Sequence, residues 1–395
     1  MAPASLIVHT DRSRIETDQR CPRLRAYTYE WQGRGLDLDG DNAAGRDIGS
    51  CAHEGIAAAL GGGALDAAIA VAHTAPEWAK LATDDDRDMV DALVRTWWAV
   101  VRPQLAQGWV IEASEREEST DIPRDDATVR FMSRLDLLAR ATETATFNRA
   151  PVAPGLWVFD WKCIKRGGDK WRAEQRYQMQ WLTSLLGPEA RLGTRLEGVV
   201  VVALLKENHP LVSTWVNKKS GETSNRFRYT CAEPHPFRYA KGGMCMGGVN
   251  HTLSKTEWES VPVRTLPGGQ AAHFERLMAT EPGLLAEWVD VAGPMVRVSD
   301  YEIDRFKRQH FRREVEIARA RSSEPLGDET LDRWFPQRTA SCLTYARVEG
   351  ASLVGACPAL DFCYGGASPE NFSWRVPNHP GENESRDKAG ASNTE

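Results

Sequence analysis

A run of residues, 196–205, is almost wholly apolar and has the sequence LEGVVVVALL. An apolar run of this length without alternation is typical of a strand that is buried on both faces, as in the sheets of α/β proteins. Three further strands are predicted before it at 109–118, 128–140 and 155–163, and a helix is predicted at 171–186, ending near Gly187-Pro188. The order β, β, β, α, β predicts a compact α/β core.

The chain has 395 residues, which suits one elaborated domain or two. We predict that residues 1–216 form an N-terminal segment and the core, with a helical insertion at about 61–107. An irregular insertion with connecting helices, one of them at 273–291, is predicted at 217–297, and a basic helix with a cysteine-bearing segment at 298–376. The polar tail at 377–395 lacks aromatic residues and is predicted to be disordered.

Composition limits the classes of function. No stretch of 18 or more apolar residues is present and the N-terminus lacks an apolar signal core, so we expect a cytoplasmic protein with no membrane partner. The net charge of −6 is unlike that of most nucleic-acid-binding proteins. The segment 305–321 is an exception, since it carries seven Lys and Arg residues against Glu314 and Glu316. This segment is either a basic face for DNA or an ordinary solvated helix face.

The most distinctive local feature is Asp160-Trp161-Lys162, at the end of an apolar strand. Residues i and i+2 of a strand point to the same face, so Asp160 and Lys162 are expected to project together. Hydrolysis of a phosphodiester uses a carboxylate to hold Mg²⁺ or Mn²⁺ and a lysine to orient or deprotonate water. A surface ion pair is the alternative.

Three other residues extend this pattern. Asp136 lies on the preceding strand, and two acidic residues on adjacent central strands are costly to bury unless they bind a cation. His53 follows Gly49 on a predicted helix and is a candidate ligand for Mn²⁺, although a lone histidine is more often structural. Gln178, on the helix after the strand, can bind a metal-bound water or a phosphate; an ordinary amphipathic helix is the alternative.

The ordered motifs G-x-x-x-H, L-D, D-x-K and Y-Q-x-x-W resemble those of the RecB-like branch of the PD-(D/E)XK nuclease superfamily. The resemblance implies a restriction-endonuclease-like core, a central mixed sheet flanked by helices. It also implies His53, Asp136 and Asp160 as metal ligands, Lys162 as the catalytic lysine, and Gln178 as the trailing motif residue. Trp181 departs from the tyrosine that is frequent in this branch, and Glu115 matches a frequent acidic position in a supporting role.

Cysteines at the two ends of the chain extend the resemblance. Four thiolates suit an iron–sulfur cluster or tetrahedral zinc. One early and three late cysteines resemble the [4Fe–4S] staple of RecB-like nucleases, including AddB-type and CRISPR-adaptation nucleases, although the Cys342–Cys357 spacing is wider than in some relatives. Zinc and reduced free thiols are the alternatives. The implied ligands are Cys21, Cys342, Cys357 and Cys363.

The other four cysteines are interpreted differently. Cys51 and Cys163 are predicted to be small buried side chains near the site. Cys231 and Cys245, with His235 and His251 nearby, are a weaker candidate for a second zinc site, because their spacing matches no tight ligand pair.

The resemblance implies an exonuclease that acts on single-stranded DNA or DNA ends, in recombination, repair or CRISPR-type DNA processing. The basic segment and the aromatic residues Tyr27, Tyr29 and Trp31 are candidate DNA contacts, with core packing as the alternative for the aromatics. No phosphate-binding G-x-x-x-x-G-K-[ST] loop is present, so processive unwinding needs a separate helicase or recombination protein. The alternatives are a non-catalytic module that binds DNA or a partner, and a redox or zinc protein with unrelated catalysis.

Overall fold

The structure is a computed structural model, and it describes most of the chain up to residue 225 and selected segments beyond it. The described residues are 6–38, 44–124, 126–175, 180–225, 228–230, 235–236, 244–245, 250–252, 257–297, 299–323, 326, 328–337, 347–349, 352–354, 357–359, 363, 372–375 and 377. The predicted tail lies outside them, except for Pro377.

A mixed central sheet forms the middle layer of the protein, in the strand order β1-β3-β6-β7-β15 with β2 also paired to β3. The β1–β3 and β6–β7 pairs are parallel, and the β2–β3, β3–β6 and β7–β15 pairs are antiparallel. The strands are β1 (Leu6–Asp11), β2 (Trp109–Arg124), β3 (Ala127–Ala141), β6 (Gly155–Ile164), β7 (Gly198–Leu205) and β15 (Val289–Val296). The predicted α/β class and the four predicted strands are confirmed.

Helices cover both faces of this sheet. On β7, Val200 and Val202 pack in the layer with the helices after residue 44, whereas Val199 and Val201 pack with the helix that contains Trp181. The apolar run therefore has no alternation because both of its faces are buried. The helices are α1 (Arg12–Arg20), α2 (Pro22–Arg25), α3 (Ala44–Leu60), α4 (Leu65–Ala72), α5 (Asp84–Thr96), α6 (Arg102–Leu105), α7 (Asp169–Gln175), α8 (Gln180–Leu192), α9 (Gly269–Thr280), α10 (Asp300–Phe306), α11 (Arg312–Ser323) and α12 (Asp328–Trp334).

Short strands lie outside the central sheet. They are β4 (Thr146–Phe147), β5 (Ala150–Pro151), β8 (Ser213–Asn217), β9 (Thr223–Ser224), β10 (Arg228–Thr230), β11 (His235–Pro236), β12 (Met244–Cys245), β13 (Asn250–Thr252), β14 (Trp258–Pro262), β16 (Arg347–Glu349) and β17 (Ser352–Val354). In the described part of the chain, no helix has both the length and the apolarity needed to cross a membrane.

The predicted end of a helix at Gly187-Pro188 is wrong. Helix α8 continues through both residues to Leu192. A Cβ atom on Gly187 would lie 2.7 Å from Cβ of Glu118 and 3.1 Å from Oγ of Ser133. The glycine therefore permits close packing of the helix on β2 and β3, and this tertiary packing outweighs the loss of a hydrogen bond at Pro188.

Two other expectations need correction. The predicted helix at 273–291 ends at Thr280, and Val289–Val296 is an edge strand of the central sheet, so the core draws on residues beyond 216. The N-terminal residues, for which the sequence predicts no strand, form β1 beside β3. Asp11 then caps α1 by accepting the Arg14 N–H at 3.0 Å.

The basic segment 305–321 is helical, but much of its charge is used inside the protein. Arg313 pairs with Asp18, Arg319 with Asp126, and Arg321 with Glu30. Arg312 also pairs with Glu316, one turn along the same helix, at 3.0 Å. These ion pairs favour a structural role over the DNA-facing role for most of this segment.

We expect Gly187→Ala to destabilise the protein by about 1–3 kcal/mol, because the added methyl group overlaps Glu118. In an open helix the same change would stabilise by up to about 1 kcal/mol. Urea denaturation followed by circular dichroism measures the difference. The control is Gly45→Ala, where a Cβ atom would be 3.5 Å from Nζ of Lys206; equal stability changes at both positions would contradict the packing argument.

Candidate metal centre

The candidate site lies where strands β3 and β6 separate. The last paired residues are Leu137 and Phe159, while β6 continues beside β7 to Ile164. Asp136 is the next residue of β3 towards the gap, and its Oδ2 accepts the backbone N–H of Trp161 at 2.6 Å. The side chain thus satisfies a backbone donor that the strand pairing leaves open.

His53 reaches this gap from helix α3. A Cβ atom on Gly49, one turn earlier, would lie 3.7 Å from Cβ of Cys163, so the helix packs directly on β6. Nδ1 of His53 lies 3.5 Å from Oδ1 of Asp136 and 4.0 Å from Oε1 of Glu115. The G-x-x-x-H spacing places the imidazole over the end of the strand pair.

Glu115 comes from the opposite side, on β2. The pairs Ser114–Leu137 and Arg116–Leu135 put it across from Asp136. Its φ of +46° is the one positive value for a non-glycine residue within the described strands. Such a backbone costs about 1–3 kcal/mol and persists where surrounding contacts impose it.

Arg134 holds one side of the Glu115 carboxylate. Its Nε donates to Glu115 Oε2 at 2.8 Å and its second guanidinium nitrogen donates to Glu54 Oε1 at 2.9 Å. The other oxygen, Glu115 Oε1, is buried and accepts no hydrogen bond from the described residues. It is therefore available to a cation.

His53, Glu115 and Asp136, here called the ligand triad, offer ligand atoms that all lie within 4.8 Å of one another. They form the one group of three or more such residues in the described part of the chain. One imidazole and two carboxylates fit Mn²⁺ or a similar divalent ion, and Mg²⁺ accepts the carboxylates. The unsatisfied Oε1 of Glu115 supports this fit.

The electrostatics of the triad also favour a cation. Burial, followed by the charge of Asp136, raises the pKa of Glu115 to about 7. The pKa of His53 is raised as well, because Asp136 and Glu115 outweigh the effect of burial. Burial opposes ionisation of Asp136, but His53 and Lys162 lower its pKa overall. A divalent ion would replace protons shared among these groups.

Asp160 and Lys162 project together, as the D-x-K pattern predicts, and Trp161 packs with the opposite layer. Nζ of Lys162 lies 3.1 Å from Oδ1 and 2.8 Å from Oδ2 of Asp160. Burial and the charge of Asp136 raise the pKa of Asp160 despite Lys162. The Asp160 carboxylate is outside the ligand triad, so its role as a metal ligand stays a prediction.

Gln178 lies outside the described residues, and its role stays a prediction. Gln180, two residues later in the same motif, is buried, and its Nε2 donates to Asp160 Oδ1. Trp181 is buried against the sheet, and its indole N–H donates to the Gln175 carbonyl. The sequence motif predicted Gln178 for this position, and the contact from Gln180 was not predicted. This contact depends on the tertiary packing of α8 on the sheet, which the motif does not reveal.

An open cleft of about 490 Å³ gives access to the site. Asp136, Glu115 and His53 line it with Lys162, Arg46 and Arg134. The cleft thus places acidic metal ligands beside cationic side chains. This combination suits an anionic substrate that reacts at a bound metal.

Three of the four predicted cluster ligands lie together in an apolar cluster that is separate from the ligand triad. Cys21, Cys357 and Cys363 contribute to one apolar assembly with Phe335 and Leu331, here called the cysteine core. The fourth, Cys342, lies outside the described residues. The three described thiols come from the two ends of the chain and share apolar surroundings, and the iron–sulfur cluster stays a prediction.

The remaining cysteines divide into two groups. Cys51 is buried, as predicted, while Cys163 is half-buried and lines the cleft. Burial raises the pKa of Cys51 to about 11 and that of Cys163 to about 12, so both remain neutral thiols at physiological pH. Cys231 lies outside the described residues, as do the side chains at 235, 245 and 251, and the second zinc site stays a prediction.

We expect Glu115→Gln to stabilise the metal-free protein while removing its metal affinity. Because the folded-state pKa is about 7, against 4.5 for the ordinary group, ionised Glu115 destabilises the fold as pH rises through this interval. Urea denaturation in EDTA at pH 8 should show a gain of about 2–3 kcal/mol, which shrinks as the pH falls below 7 and is lost below pH 4.5.

Added Mn²⁺ should stabilise the unmodified protein and leave Glu115→Gln unchanged. The matched control is Glu112→Gln, on the same strand and half-exposed, which should retain the Mn²⁺ effect. Equal stabilisation of all three proteins by Mn²⁺ would remove Glu115 from the candidate ligands.

Comparison of the chain with protein-family models and with curated proteins gave no match. Function is therefore inferred from the ligand triad, the Asp160–Lys162 pair and the cleft that the triad and Lys162 line.

Proposed function

We propose that the protein is a divalent-metal-dependent deoxyribonuclease that hydrolyses phosphodiester bonds in the cleft. The observation that carries this proposal is the convergence of the ligand triad and Lys162 on one open cleft. Three metal ligands alone would also suit a structural ion. A cation-bearing cleft beside them favours an anionic substrate and chemistry at the metal.

His53, Glu115 and Asp136 are the residues that would hold the ion, with Asp160 as a further predicted ligand. A bound Mg²⁺ or Mn²⁺ supplies charge stabilisation to the phosphate and acidifies water. The Trp161 N–H fixes one oxygen of Asp136, which leaves Oδ1 directed at His53. Arg134 fixes Glu115 in the same way.

Lys162 is proposed as the group that acts on the reacting phosphate. Its ammonium can donate to a phosphate oxygen and offset the charge that develops when water attacks phosphorus and the P–O bond to the leaving oxygen breaks. Asp160 positions the ammonium through both of its oxygens, and Gln180 holds Asp160 from α8. Each of these contacts limits the movement of Lys162.

The proposed substrate is single-stranded DNA or a DNA end, and the proposed action is exonucleolytic. This part of the proposal rests on the resemblance of the ordered motifs to RecB-like PD-(D/E)XK nucleases. Recombination, repair and CRISPR-type DNA processing are the corresponding settings, in which a separate helicase or recombination protein would supply unwound DNA.

We also propose that the cysteine core holds a [4Fe–4S] cluster, with Cys342 as the fourth ligand. The convergence of Cys21 with Cys357 and Cys363 supports this proposal. Tetrahedral zinc is the alternative for the same thiolates, and it would bring their sulfurs to about 3.8 Å. Iron–sulfur clusters space their thiolates more widely because each thiolate binds a different iron atom.

Lys162→Ala is expected to lower the rate of DNA hydrolysis by about 10²–10⁴-fold and to leave Mn²⁺ binding intact. The assay is digestion of end-labelled single-stranded DNA with Mg²⁺ or Mn²⁺. The control is Lys165→Ala, an exposed lysine three residues later on the chain, which should cut normally.

If the unmodified protein binds DNA but cuts none with either metal, the non-catalytic binding module becomes the better account. Normal cutting by Lys162→Ala would show that the reactive centre lies elsewhere.

Cys21→Ala should release the cluster and destabilise the fold, because the cluster would join distant segments. Anaerobically purified protein should be brown, with broad visible absorption and four irons per chain, as a [4Fe–4S] cluster contains. The control is Cys51→Ala, a buried thiol in a different part of the core, which should keep the colour. Colourless protein that contains zinc would contradict the cluster.

A further inference from the structure

A second cavity of about 570 Å³ adjoins the metal cleft, and no step of the proposed reaction uses it. The two cavities share Arg46, Ser50, Glu77 and Arg134 as lining residues. They are therefore two parts of one continuous depression. We call the second part the strand groove.

The strand groove is locally basic on a chain whose net charge is −6. Five cationic side chains line it against three carboxylates, those of Asp37, Asp47 and Glu77. Asp47 is buried, so its carboxylate contributes little to the exposed floor. The cationic residues are Arg20, Arg46, Lys80, Arg134 and Arg375.

Two of these cations are well placed to meet a ligand. Lys80 is exposed and forms no ion pair with any described residue. Arg46 has 56% of its side chain exposed, and its Nε lies 3.9 Å from Oδ1 of Asp47. Both side chains are exposed, so each can reach an anion in the groove.

Arg375 is a third cationic side chain of the groove, and it is more buried than Lys80 and Arg46. It lies on the described segment 372–375, which is tied to the N-terminal part of the chain by Asp37 N–H to Ser373 O at 2.9 Å and Arg375 N–H to Gly35 O at 3.0 Å. Its guanidinium lies 4.5 Å from the centre of the Tyr29 ring. Burial and the nearby charge of Arg14 lower the pKa of Arg375. An anion in the groove would relieve this unfavourable environment.

We propose that the strand groove binds the phosphate backbone of a single polynucleotide strand that continues from the metal cleft past Arg46 and Lys80 to Arg375. This inference rests on the proposed function, because the strand in the groove is the one cut at the ligand triad. A chain of phosphates suits this arrangement better than a small acid does. Arg46 lines both cavities, whereas Lys80 and Arg375 line only the second one, so cations extend beyond the metal cleft. Together the two cavities are of the size that holds a few nucleotides of one strand.

The test measures binding without cutting. Fluorescently labelled oligothymidylates of roughly 4 and roughly 16 nucleotides, the range of site sizes for single-strand binding proteins, are titrated with the full-length protein in EDTA. Fluorescence anisotropy is recorded at several salt concentrations. The variants are Lys80→Glu and Arg46→Glu, both at exposed positions, and the control is Lys219→Glu, an exposed lysine that lines neither cavity.

We expect Lys80→Glu and Arg46→Glu to weaken binding of the longer oligonucleotide about ten-fold and to reduce the salt slope by about one. Lys219→Glu should bind like the unmodified protein. Equal binding by all the variants, or no binding by the unmodified protein, would contradict the proposal that the strand groove binds a polynucleotide. Oligouridylates of matching length show whether the strand is DNA or RNA, since stronger binding of the ribose form would assign the groove to RNA.

Cleavage assays on the same proteins separate the two proposals. If the unmodified protein cuts DNA and Lys80→Glu binds the oligonucleotide as tightly as it does, the nuclease proposal is retained and the groove proposal is rejected. If binding depends on Lys80 but no cutting occurs with Mg²⁺ or Mn²⁺, the groove proposal is retained and the nuclease proposal is rejected.

Discussion

The carboxylate of Asp136 is the contact on which the candidate site depends. Strands β3 and β6 separate immediately after Leu137 and Phe159, and the side chain of Asp136 accepts the Trp161 N–H that the opened ladder leaves available. The separation makes room for His53 from the helical layer. The same hydrogen bond fixes one oxygen of Asp136 and leaves the other beside the imidazole.

Glu115, which lies across from Asp136, has both unfavourable electrostatics and a strained backbone. Glu115 has a left-handed backbone, a pKa raised to about 7, and one buried oxygen that accepts no hydrogen bond from the described residues. Features of this kind concentrate where a ligand or a reaction compensates for them. A divalent cation would stabilise the ionised carboxylate and coordinate its unpaired oxygen, and these two features support the proposed metal site. The carboxylate of Asp160 is already paired with Lys162, and Gln180 of α8 donates a hydrogen bond to it. The Asp160–Lys162 pair therefore lies beside the triad as a separate ion pair.

Local patterns in the sequence predicted the main features of the core. The unbroken apolar run at 198–205 is buried on both faces, and the D-x-K alternation placed Asp160 and Lys162 together. Features that depend on tertiary packing were harder to predict. Gly187 resembles a helix end in the sequence, but its missing side chain serves close packing on β2. Likewise, the basic face of α11 forms ion pairs with Asp18, Asp126 and Glu30, which are remote in sequence. The importance of Glu115 depends on strand register, because β2 carries several acidic residues and the sequence does not show which of them lies across from Asp136.

The most direct test of this account is the position of Mn²⁺ in crystals of the full-length protein, located from its anomalous scattering. The account predicts a peak bounded by the side chains of His53, Glu115 and Asp136, next to the Lys162 ammonium. A peak away from these three side chains, or no peak at a saturating Mn²⁺ concentration, would contradict it.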